Sequence, residues 1–111
     1  MVRQQYKIPQ AVHLIGIGGE GMLALAECLT DLGHKVSGSD LRITNDCDLL
    51  SRRGVKFYQG HSITQLCGAE LVVVSDAIPP DNPELLEARS CGITVISRAS
   101  CLDLLCDKKK A

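Results

Sequence analysis

The stretch HLIGIGGEGM, residues 13–22, places Gly16, Gly18, Gly19 and Gly21 within six positions, directly after an apolar run. Glycine this dense lets a backbone approach another group closely. The segment satisfies G-x-G-x-x-G, with Gly19 as an additional glycine, and Glu20 stands inside it. Alone, that pattern is weak. Here it closes an apolar strand, Ala11–Ile17, and opens an amphipathic helix, Glu20–Leu32, whose Met22, Leu25, Ala26 and Leu29 form one stripe. In that setting Gly16 permits the turn, Gly18 lets backbone touch a ligand, and Gly21 lets the helix pack on the strand. Unpaired N–H groups and the positive dipole end at the helix start then favour a phosphate.

The alternation continues along the chain. Strands are predicted over Lys35–Ser39, Val55–Tyr58, Leu71–Ser75 and Thr94–Ile96, with a short helical turn over Ser62–Cys67. The run LVVVS has the continuous β-branched character of a strand covered on both faces. A helix is predicted over Asp46–Arg53, capped by Thr44 or Asn45, with Leu49 and Leu50 inward. Another runs from Pro83, capped by Asn82, to about Cys91. The last spans Ala99–Cys106, with Leu102, Leu105 and Cys106 on one side. This order predicts an α/β fold: a Rossmann-like three-layer domain with a five-stranded parallel sheet and helices on both faces. At 111 residues the chain suits one domain, expected over 11–106, with a loose lead-in at 1–10 and a charged tail at 107–111.

A net charge of −1 gives no basic surplus for nucleic acid or an anionic membrane, and one Phe, two Tyr and no Trp leave no stacking platform. No apolar run is long enough to span a bilayer and no signal peptide is apparent, so the expected setting is cytoplasmic. The six cysteines (Cys28, Cys47, Cys67, Cys91, Cys101 and Cys106) form no C-x-x-C pair and read as free thiols, with Cys28 and Cys106 on apolar helix sides. No metal site is expected.

Ligands of such sheets bind at the carboxyl ends of the strands. Asp40 ends the second strand about 20 residues past the glycines, where an acid meets a ribose hydroxyl; a turn cap is its plainer role. His61 follows the third strand, and can donate to a phosphate or sugar or simply sit in an exposed loop. Ser75, Asp76, Ala77 and Ile78 follow the fourth strand, and Arg98 the fifth, as an anion ligand or a surface ion pair. Periodicity and spacing thus give a nucleotide-diphosphate edge. They leave open a dinucleotide or a nucleotide sugar.

In order, HLIGIGGEGM, LGHKVSGSD, GVKFYQGHS, VVVSDAI, DNPELLEAR and VISRASCLDLL resemble the N-terminal domain of the bacterial Mur ligases, from about Val12 to Leu105. The alanine-adding branch fits the glycine loop better than the murein-peptide branch. The resemblance implies binding of UDP-N-acetylmuramate or a related UDP-sugar. Backbone of Gly18 to Met22 would cradle the diphosphate; Asp40, flanked by Ser39 and Leu41, would lie near the uridine; His61 would approach the diphosphate. Ser75 to Ile78 would border the nucleotide, and Arg98 the substrate edge.

Two residues depart from the family pattern: Glu20 replaces an alanine and Asp76 a serine. Each puts negative charge near the implied diphosphate, where a like-charge pair ~5 Å apart costs roughly 3 kcal/mol at an effective dielectric of ~20. The family's ATP domain opens with G-x-x-x-x-G-K-[ST], and this sequence holds no Gly-Lys pair. No catalytic residue is therefore assigned, and ATP and Mg are expected only with the remaining ligase domains. Three readings follow: a ligase's UDP-sugar domain, a non-catalytic descendant that binds a partner, or an NAD module.

Overall fold

The structure, a computed structural model, describes residues 8–19, 21–42, 46–66 and 68–110. Its elements run β1 (Ala11–Ile15), α1 (Met22–Asp31), β2 (Lys35–Asp40), α2 (Asp46–Arg52), β3 (Lys56–Gln59), a 3-10 turn (Ile63–Leu66), β4 (Leu71–Val74), α3 (Pro83–Ser90), β5 (Thr94–Ser97) and α4 (Arg98–Lys110). The strands make one all-parallel sheet in the order β3-β2-β1-β4-β5. The expected Rossmann-like architecture is therefore present. The order reverses between β1 and β4, and the carboxyl ends at such a reversal are where sheets of this kind bind ligands.

Register assigns the two faces. On β1, His13 lies opposite Ser37 of β2 and Val72 of β4, and Ile15 opposite Ser39 and Val74. Alternation sends Val12 and Leu14 to one face and His13 and Ile15 to the other. The first face meets α1, α2 and α4 in a core that includes Val12, Leu14, Leu25, Leu29, Leu50, Val73, Cys101 and Leu105. The second meets α3 and the 3-10 turn through a smaller group: Ile15, Leu66, Val72, Leu85 and Ala88.

Several boundaries differ from the sequence expectation. β1 stops at Ile15 rather than Ile17, because the N–H groups of Gly16 and Ile17 both turn onto the Ser39 carbonyl, at 2.8 and 3.0 Å. In α1 the expected stripe of Met22, Leu25, Ala26 and Leu29 is buried. In α2, Leu50 is buried but Leu49 is 68% exposed, since adjacent helical residues point about 100° apart and a short helix hides only one. β3 lies one residue later than expected, and α4 begins at Arg98, straight off β5. The helix runs on through Lys110, into the segment expected as a tail. Its buried pair is Cys101 and Leu105, four apart on one face, which leaves Cys106 exposed.

Ile8 joins the first core, the Pro9 carbonyl accepts from His34 Nδ1 at 2.7 Å, and the Gln10 carbonyl accepts from Lys35 N–H at 2.8 Å. These residues are tied to the sheet rather than loose. Cys28, Cys91, Cys101 and Cys106 are free thiols, Cys47 is buried in α2, and burial pushes the Cys101 thiol up to about 11. The expectations for Glu20, Thr44, Asn45 and Cys67 lie outside the described residues. Among the described residues, no helix is long and apolar enough to cross a membrane.

Candidate nucleotide site

The glycine loop is shaped by its own backbone bonds. Gly19 N–H donates to the Gly16 carbonyl at 2.9 Å, and Met22 N–H to the Gly19 carbonyl at 3.0 Å. Gly18 N–H donates to Asp40 Oδ2 at 2.9 Å, and Arg42 N–H donates to Asp40 Oδ1 at 3.2 Å. Asp40 thus straps the glycine loop to the loop after β2. A Cβ on Gly38 would fall 2.6 Å from Cβ of Ile17 and 2.4 Å from its Cδ1, so bare backbone at Gly38 is what lets Ile17 lie across β2. Gly16 has φ +84°, and a Cβ there would sit 2.9 Å from Ser75 Cβ, so the turns after β1 and β4 touch.

Gly21 precedes α1 with φ +79°, and no side chain caps the helix. The guanidinium of Arg98 packs against it: a Cβ on Gly21 would lie 3.1 to 3.2 Å from Nη1, Cζ and Nε. An uncapped helix start and a cation therefore share one place, which suits an anion on two independent grounds.

Beside this loop lies an open cleft of about 600 Å³ at the carboxyl ends of β1, β2 and β4. Its wall brings together Gly16, Gly18, Gly19, Asp40, Leu41, His61, Ser75, Ala77 and Ile78. Gly21, Met22, Ser39, Asp76 and Arg98 are not on that wall. Met22 is a core residue, fully buried under the loop. Asp76 is exposed, away from the lining. Arg42, Pro79, Asp81, Asn82 and Pro83 also line the cleft, none of them expected there, although Asn82 and Pro83 were expected to start a helix. For the last four, the position of IPPDNPE just after β4 was the available signal.

Behind the wall lies a buried polar network that periodicity did not reveal. Glu84, at the start of α3, is fully buried. Its Oε1 accepts from His13 Nε2 at 2.8 Å and from the Ser39 hydroxyl at 2.7 Å, and its Oε2 accepts from Ser62 N–H at 2.8 Å. His13 Nδ1 reaches Ser37 Oγ at 2.8 Å, and Ser39 Oγ reaches His61 Nδ1 at 2.8 Å. Burial works to raise the Glu84 carboxyl. The bonds from His13, Ser39 and Ser62, with the attraction of His13, outweigh it and hold the carboxyl below its ordinary value of 4.5. Among the described residues, no group of three or more His, Cys, Asp or Glu is placed to hold a metal ion.

The family model "Mur ligase family, catalytic domain" matches residues 11–110. A UDP-N-acetylmuramate–L-alanine ligase of Rubrobacter xylanophilus is 53% identical over 91 residues, covering 82% of this chain and 20% of that protein. The crystal structure of the UDP-N-acetylmuramate–alanine ligase of Thermotoga maritima superposes with a TM-score of 0.84 at 29% identity, covering 90% of this chain and 23% of that one. A murein peptide ligase of Psychrobacter arcticus gives a TM-score of 0.73 at 30% identity, covering 78% of this chain and 18% of that one. The chain thus spans about a fifth of the length of the curated relatives it matches. With the parallel sheet, the glycine loop and these matches together, the chain belongs to the Mur ligase family and is homologous to the N-terminal domain of its alanine-adding members.

Proposed function

We propose that this chain binds the UDP portion of UDP-N-acetylmuramate at the carboxyl edge of its sheet, as the nucleotide domain of an alanine-adding ligase. The observation that carries the reading is the Arg98 guanidinium against Gly21 at the uncapped start of α1, beside a cleft of about 600 Å³. The volume suits a nucleotide. In this reading the helix start and Arg98 take the diphosphate, His61 meets it from the cleft wall, and Leu41 and Ile78 supply apolar surface for the base. Amide formation, with ATP and Mg, falls to the remaining ligase domains. No residue here is assigned to that step.

Two observations weigh on the alternatives. Asp76 is exposed and off the wall, so its charge gives little support to a domain that has lost its anion. Asp40 already holds two backbone N–H groups, so it acts as a strap whether or not a ribose is present. Isothermal titration of the folded chain with UDP-N-acetylmuramate, UDP and NADH tests the reading. Heat with the two uridine ligands and none with NADH is expected. Silence with both uridine ligands at millimolar concentration, or preference for NADH, overturns it.

A further inference from the structure

The buried carboxylate of Glu84 is not on the cleft wall, but its partner Ser39 bonds to His61, which is. An ionised carboxylate only accepts hydrogen bonds. Ser39 has one hydroxyl proton, and it goes to Glu84 Oε1 at 2.7 Å. The contact of Ser39 Oγ with His61 Nδ1 at 2.8 Å must then run the other way, with Nδ1–H donating. Nδ1 of His61 also lies 3.6 Å from Glu84 Oε2, which favours a proton on that nitrogen. The imidazole is only 10% exposed, and Nε2 has no protein partner among the described residues, so Nε2 faces the cleft that His61 lines.

From this chain we infer that Glu84, acting through Ser39, is a positioning residue: it fixes His61 as the Nδ1–H form and couples anion binding to proton uptake at Nε2. With Nδ1–H fixed, neutral His61 offers the cleft a lone pair, which repels phosphate oxygens and suits a hydroxyl. To meet a diphosphate, Nε2 must gain a proton from the solvent, forming one N–H bond and leaving an imidazolium. Glu84 of α3 lies 3.6 Å from that ring, and Asp40 at the end of β2, Asp81 before α3 and Arg42 line the same cleft as His61. His13 of β1 shares Glu84 Oε1 and competes for the same carboxylate. The role of the diphosphate rests on the nucleotide reading above; the tautomer does not.

Two measurements separate these parts. In the ligand-free chain at about pH 8.5, two units above an ordinary histidine, long-range imidazole proton–nitrogen spectra should show His61 protonated at Nδ1 and bare at Nε2. Ser39→Ala, which leaves the Glu84–His13 pair in place, should shift the ring toward the Nε2–H form. Nε2–H in the unmodified chain, or no change in Ser39→Ala, overturns the positioning role. Calorimetry of UDP binding at about pH 7.5, in buffers of different ionisation enthalpy, should show uptake of about one proton. Ser39→Ala should lose most of that uptake and bind UDP about tenfold more weakly. UDP binding without proton uptake overturns the coupling. A fixed Nδ1–H ring in a chain that binds no UDP would retain the positioning role and discard the nucleotide reading.

Discussion

The two faces of the sheet are held by different chemistry. On the α1 side, Val12, Leu14 and Val36 meet Leu25, Leu29 and Leu105, and the contacts are apolar. On the α3 side, Ile15 and Val72 meet Leu85 and Ala88, but β1 and β2 place His13, Ser37 and Ser39 beside them, tied to Glu84. An apolar face tolerates small shifts in packing. A buried carboxylate with three donors does not, because each donor left without its acceptor carries a desolvation cost. The face built on direction rather than area is the one that leads to the cleft, through Ser39 and His61.

The contrast is tested first at Glu84. Glu84→Ala leaves His13, Ser39 and Ser62 without their acceptor and should cost about 3–5 kcal/mol in urea unfolding; a loss below about 1 kcal/mol would erase the distinction between the faces. Leu29→Ala on the apolar side should cost about 2–5 kcal/mol through lost burial and a cavity. The two variants should separate by pH. The Glu84 carboxyl titrates lower in the folded state than in the unfolded state, so its contribution is complete above the ordinary value of 4.5 and is lost as pH falls through the folded value. Leu29→Ala should keep the acid dependence of the parent protein, and Glu84→Gln should flatten it.

Next in size comes Gly38→Ala. Its new Cβ would collide with Ile17, costing about 1–3 kcal/mol and displacing the glycine loop, so UDP titration should weaken together with stability. A variant as stable as the parent would show that Ile17 can move without cost. Smallest is Leu49→Ser, on an exposed site of α2, which should change stability by less than about 0.5 kcal/mol.

The same contrast explains what could be read in advance. The apolar face is written in local spacing: Met22, Leu25, Ala26 and Leu29 declare a helix stripe, and LVVV declares a buried strand. The glycines, Asp40, His61 and Ser75 were legible because strand ends are where such sheets bind ligands. The network was not legible, because its partners lie far apart in sequence. His13 looks like one odd residue in a strand, and Glu84, 71 positions later, looks like an ordinary first-turn acid of a helix. Only the pairing of β1 with β4, and the seat of α3 beyond it, brings them to 2.8 Å. Leu49 and Cys106 were misplaced for a simpler reason: short helices leave the phase of their buried face to packing.

The central claim is that the carboxyl edge of this sheet is a uridine-diphosphate site. It is tested most directly by backbone amide spectra of the labelled chain titrated with UDP. Saturable shifts are expected in the glycine loop, in Asp40 to Arg42, in His61, in Ser75 to Ile78, in Asp81 and Asn82 and in Arg98, with the amino ends of the strands unmoved. Saturating UDP that leaves those residues unmoved, or that moves only the opposite edge, would contradict it.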